Sequence, residues 1–237
     1  MDNKLLASGS WDSAVRIWDL NTGELVAGPF ECVNIVHAVR FSQNSKKLAV
    51  KSCNAHCLEV WDLEAQKLDV RVGKLGGGGL FPDAPVFWTK KDRTIVAAIR
   101  FKSEDDEDQY GHPTTIYEFG SSTLETVGAP FEAHTGRVIG LALSFDCALL
   151  ASASNDTIKL WAFESRQLLA SFDQLESAAY SQIILSPDSR QLACMTFEQD
   201  PNKIHICDIP PEILASIWPA SSVCIHPHSN IHPLLVC

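Results

Sequence analysis

Short apolar runs separated by polar turn residues recur along the whole chain. The clearest unit begins at Arg137 with the strand-length run "RVIGLALS", the turn "FDC" and a second run, "ALLASAS". The turn "NDT" then leads into "IKLWAF", and after "ESR" comes "QLLASF". Runs of about five to eight residues rich in Val, Ile, Leu and Trp, punctuated by Asp, Asn, Ser and Gly, favour strands joined by tight turns. No segment carries a competing helical period, so the pattern predicts an all-β chain of antiparallel hairpins.

The unit repeats. A phrase of the form apolar-x-apolar-Trp occurs as "VRIW" ending at Trp18, "LEVW" ending at Trp61 and "IKLW" ending at Trp161. Weaker copies are "TIYEF", which puts Tyr117 in the tryptophan position, and "IHICDI", which puts Cys207 there; the successive intervals are 43, 56, 44 and 46 residues. Four short antiparallel strands at this period describe a β-propeller blade. The chain reads as a single propeller domain over residues 1–237, with repeat ends near 19, 62, 118, 162 and 208. It opens in the second strand of a blade, carries an acidic insertion at 102–114, and ends in a partial last repeat at 210–237 in which "ILASIW" is read as a strand. The tally is about five to six blades of four strands, a ring that is incomplete or atypically closed. An open ring exposes apolar blade faces that otherwise pack on their neighbours.

Several phrases tie the pattern to a family. "WDL" occurs at Trp18 and at Trp61, and "AHTG" at Ala133 to Gly136 stands where a Gly-His pair is usual. "SPDSRQLA" from Ser186 is echoed by "SQNSKKLA" from Ser42 and "SFDCALLA" from Ser144. On these residues the chain resembles the WD-repeat β-propellers over nearly its whole length. "LVAGPFE" at Leu25 and "TVGAPFE" at Thr126 further resemble a linker phrase of fungal WD repeats, including those attached to NACHT-type signalling ATPases. The resemblance implies a structural hydrogen-bond network of His134, Ser152 or Ser154, Asp156 and Trp161. It also implies a noncatalytic scaffold whose rim of loops meets protein or peptide partners. By the same analogy Trp11 and Asn155, each just before a turn aspartate, and Arg137, at the entry to a first strand, are candidate contact residues.

Charge and candidate chemistry narrow the field. The formal net charge of −10 argues against binding to nucleic acid or to an anionic membrane and favours basic partners. No run approaches the ~20 apolar residues of a membrane helix, and "MDNKLLASGSWD" lacks the apolar core of a signal peptide, so a cytoplasmic location is expected. The eight cysteines, at 32, 53, 57, 147, 194, 207, 224 and 237, form no CxxC pair and read as reduced, mostly buried thiols.

The acidic block Glu104 to Asp108 lacks the alternating ligands and glycine bend of a calcium loop and reads as a solvated loop. "GGGG" at Gly76 to Gly79 lacks the Lys-Ser or Lys-Thr of a phosphate loop. His134, Ser152 or Ser154, and Asp156 have the residue types of a hydrolase triad, but no GxSxG elbow is present, so a hydrolase is the alternative reading. Cys224, His226, His228 and His232 could ligate zinc, although the same stretch fits a strand and turn. The expectation is therefore no cofactor and no metal. Blades from another chain, self-association, or origin as a piece of a larger signalling protein remain alternatives that would complete the ring.

Overall fold

The computed structural model describes residues 4–52, 56–73, 84–101, 112–154, 156–173, 179–197 and 203–218. The acidic block, the glycine run, Asn155 and the Cys224 to His232 stretch therefore lie outside the described residues. Two compact units divide the chain, Met1–Val138 and Ile139–Cys237.

The first unit holds three antiparallel sheets. Strands β1 (Leu5–Gly9), β2 (Ala14–Asp19) and β3 (Leu25–Glu31) form one. Strands β4 (Val36–Phe41), β5 (Lys47–Ser52), β6 (Cys57–Asp62) and β7 (Lys67–Gly73) form the next. The third comprises β8 (Phe87–Trp88), β9 (Thr94–Ala98) and β10 (Ile116–Gly120). Beyond β10, the fourth-strand position of this sheet is marked by two isolated bridges, Ile116 to Phe131 and Phe119 to Thr126. From Val138 onward come β11 (Val138–Leu143), β12 (Leu149–Ser154), β13 (Thr157–Ala162) and β14 (Gln167–Asp173) in a fourth sheet. The fifth contains β15 (Ala179–Leu185), β16 (Gln191–Phe197) and β17 (Lys203–Asp208), after which a helix, α1 (Pro211–Ile217), follows. Each sheet runs in chain order, as a meander of hairpins requires.

Two backbone devices recur in the hairpins. At the first turn, the residue just after the first strand is gathered back onto the start of the second: Ser42 N–H donates to Lys47 O, Ser144 to Leu149 O and Ser186 to Gln191 O, each at 2.9 Å. The same serines accept a second bond at Oγ, from the N–H groups of Lys47, Leu149 and Gln191. This is why the "SxD" and "SxN" phrases repeat: a hydroxyl one residue outside the strand satisfies an amide that the ladder leaves over. The second device closes the third strand. Leu20, Leu63, Ser121, Phe163 and Ile209 donate their N–H to Lys4, Lys46, Arg93, Ala148 and Arg190 carbonyls, respectively.

That fivefold bond corrects one expectation. It lies two residues after Trp18, Trp61, Trp161 and Cys207, which puts Phe119, not Tyr117, in the tryptophan position of the third sheet. Strand register agrees, because Phe119 stands level with Ile95 as Trp18 does with Leu6 and Trp61 with Leu48. A period-two strand offers an aromatic at either position on the same face, and the register with β9 selects Phe119.

Sheets pack face to face through the alternation of side chains. Val15 and Ile17 of the first sheet meet Val36, Leu48, Val50 and Trp61. Ala49, Leu58 and Val60 on the opposite face of the second sheet meet Trp88, Ile95, Ala97 and Phe119. In the second unit, Leu149, Ala151, Ile158 and Leu160 meet Ile183, Leu192 and Cys194. Each fully buried Leu, Ile or Val contributes about 1.5–3 kcal/mol. The first contact is close: a Cβ on Gly9 would come within 2.3 Å of Val36 Cγ1.

The segment "PEILASIW" is the second correction, since it forms a helix and not the strand expected there. Pro211 at the first helical position has no N–H to lose, and its fixed φ starts the turn. Ile213, Leu214 and Ile217, on one helical face, join the core between the fourth and fifth sheets, and Trp218 Nε1 donates to Asp146 Oδ2 at 2.5 Å. Among the cysteines, Cys32 and Cys194 are free thiols, whereas Cys207 is disulfide-bonded, against the expectation of reduced thiols.

Candidate functional site

The turn from β1 to β2 is built by short polar side chains. Asp12 N–H donates to Ser10 Oγ at 3.2 Å, and Asp12 Oδ1 accepts from Ala14 N–H at 3.0 Å. Asp12 Oδ2 pairs with Arg16 at 2.8 Å. The bond from Arg16, then that from Ser10, holds the Asp12 carboxyl below its usual range. Trp11 rides on the tip of this pinned turn with 69% of its surface exposed. An aromatic held out on an ordered turn meets a partner at low entropic cost.

In the fourth sheet the corresponding serines divide their roles. Trp161 Nε1 donates to Ser152 Oγ at 3.0 Å, as Trp18 Nε1 does to Ser8 Oγ at 2.9 Å. Ser154 Oγ instead donates to Asp156 Oδ1 at 2.5 Å and accepts from Thr157 N–H at 3.3 Å. Both serines are fully buried, while Asp156 is exposed. His134 is buried, and its backbone N–H donates to Thr114 O at 3.1 Å. Arg137 is also buried, which corrects its placement among surface contacts: it directly precedes Val138, whose N–H is tied to Pro113 O at 2.8 Å.

The second sheet breaks the tryptophan–serine pairing. Ser8 and Ser152 lie two residues beyond the leucine that faces the tryptophan, and in the second sheet that position is Val50. Trp61 Nε1 is accordingly buried without a hydrogen-bond partner among the described residues. Burying a hydroxyl in place of a methyl ordinarily destabilises a core. Here Val50→Thr supplies the missing acceptor and is expected to raise stability by about 0.5–1 kcal/mol. A thermal melt showing a lower midpoint for the variant would contradict the assignment.

Three residues of note carry no signal in the repeat pattern. Phe145, 92% exposed, occupies the turn position that holds Gln43 and Pro187 in the sister repeats. Lys51 is fully buried, its Nζ donating to the carbonyls of Ala84 and Ala98. Glu59 is fully buried and takes both Arg71 Nε and Arg71 Nη2 on Oε1 at 2.7 Å. Burial first, and the Glu59 carboxylate next, push the Cys32 thiol far above its usual range, so it stays protonated and unreactive near neutral pH. No cluster of metal-ligating side chains occurs among the described residues, and no helix among them is long and apolar enough to cross a membrane.

A family model described as "WD domain, G-beta repeat" matches residues 1–19 and 125–162. Among curated proteins, the chain is similar to the transcriptional corepressor LEUNIG_HOMOLOG of Arabidopsis thaliana, 27% identical over 195 residues, covering 69% of this chain and 24% of that protein. It is also similar to eukaryotic translation initiation factor 3 subunit I of Bombyx mori, 27% identical over 187 residues, covering 76% of this chain and 54% of that protein. The small ribosomal subunit protein RACK1z of Arabidopsis thaliana is 34% identical over 67 residues, 28% of this chain and 20% of that protein. The chain thus spans about half or less of the length of these relatives.

Proposed function

Because this chain belongs to the WD-repeat family, we propose that it is a noncatalytic protein-interaction scaffold, working in the cytoplasm, that presents its strand-connecting turns to protein or peptide partners. The observation that carries the proposal is Trp11: a large aromatic, mostly exposed, on a turn fixed by Ser10, Asp12 and Arg16. The net charge of −10 favours partners with basic surfaces over nucleic acid. The hydrolase reading loses support from the burial of Ser152 and Ser154, because a nucleophilic oxygen must reach solvent and substrate.

A displayed peptide library screened against the purified chain tests the proposal. Enriched peptides are expected to bind the Trp11→Ala chain at least about tenfold more weakly, as loss of an aromatic anchor does. The melting temperature is expected to stay unchanged, since the indole contributes little to the core. No enrichment, or equal binding by the variant, would count against it.

A further inference from the structure

Among the described residues, two sheet faces are more exposed than their equivalents. In the first, second and fourth sheets, the residues one and three positions before the tryptophan are sealed by the next sheet: Ile17 and Val15, Val60 and Leu58, Leu160 and Ile158. All six are at most 2% exposed. In the fifth sheet, Cys207 takes the tryptophan position, and the matching residues are Ile206 and Ile204, 60% and 69% exposed. Ile184, level with Ala193 and through it with Ile206, extends the same face at 66%.

The first sheet has the complementary deficit. The residue level with the tryptophan position is Leu48 in the second sheet, Ile95 in the third and Leu192 in the fifth, each 0% exposed and packed on the sheet before it. Its equivalent in the first sheet is Leu6, 49% exposed, beside a Trp18 that is only half-buried. One chain therefore carries both halves of a contact that it makes three times internally, each half unmatched.

We infer that the first sheet of one copy docks on the fifth sheet of a second copy, Leu6 and Trp18 covering Ile204, Ile206 and Ile184. The contact is heterologous, joining two different faces, so association proceeds head to tail. Its chemistry is that of the internal sheet-on-sheet contacts: apolar side chains from alternate positions of a three-strand surface, with Arg16 on the face of Leu6 and Trp18 and Asp208 on the face of Ile204 and Ile206. This association is separate from the Trp11 turn and stands or falls independently of it.

Light scattering across a concentration series, with the full chain, tests the inference. The unaltered chain is expected to show a mass that climbs with concentration. Leu6→Asp and Ile206→Asp each remove one half, and each is expected to weaken association about a hundredfold and leave a monomer. A mixture of the two variants retains one good half from each and is expected to form a one-to-one dimer. Both positions are exposed in the single chain, so circular dichroism is expected to be unchanged; Leu6→Gln and Ile204→Asp form a second pair if either aspartate lowers the melting temperature. A monomer at every concentration of the unaltered chain, persistence of association in either variant, or a mixture that stays monomeric would overturn the inference.

Discussion

Trp61→Ala is expected to lower the stability of the first unit by about 3–5 kcal/mol. The indole is buried where the first and second sheets meet, against Phe30 at a ring separation of 5.3 Å and within the cluster of Val15, Ile17, Leu48 and Val50. Truncation removes its dispersion contacts and leaves a cavity between two hydrogen-bonded sheets, so collapse is limited. A thermal or urea melt would show a shift of roughly 10 °C or more at the midpoint. Trp61→Phe separates the ring's packing from its N–H. The Trp61 Nε1 proton has no acceptor among the described residues, so the ring swap removes an unpaired donor along with some volume and is expected to cost less than about 1 kcal/mol. The same swap at Trp161 removes the bond to Ser152 and is expected to cost about 1–2 kcal/mol. Equal losses at the two sites would mean that the indole hydrogen bond contributes nothing.

Arg71→Ala is expected to cost about 2–3 kcal/mol, a figure reduced from the full value for breaking a buried ion pair because the Arg71 side chain is partly solvated. Glu59 has no such relief. It is fully buried, both Arg71 contacts fall on Oε1, and Oε2 has no hydrogen-bond partner among the described residues. Removing the guanidinium leaves a carboxylate in a dry sheet face. The Arg71→Ala, Glu59→Gln double variant removes that charge and is expected to recover more than half of the loss in a urea titration. If the double variant is as unstable as the single, the packing of the Arg71 stem, not its charge, is what matters.

Much of this architecture is legible in the repeat. Turn serines and acids, the strand lengths and the tryptophan phrase are local chemistry, satisfied within about ten residues, and they appear in the structure where the phrases stand. Positions decided by cross-strand register are not legible in the same way. Tyr117 and Phe119 are both aromatic on one face of β10, and only pairing with β9 selects Phe119. "PEILASIW" carries enough Ile and Leu for a strand, yet Pro211 and the core beside the fifth sheet make it a helix. Arg137 reads as a surface residue by type and is buried by its position next to Val138.

The candidate site divides along the same line. The amino-acid sequence alone establishes the all-β class, the blade period, the WD-repeat resemblance and the aspartate turn that carries Trp11, because each depends on contacts between near neighbours. The three-dimensional arrangement assigns Ser152 to Trp161 and Ser154 to Asp156, leaves Trp61 without an acceptor, and buries Lys51 and Glu59 while exposing Leu6, Ile204 and Ile206. Those outcomes depend on which sheet face meets another, and a side chain's exposure is a property of its neighbours across the sheet stack, which adjacent residues in the chain do not encode.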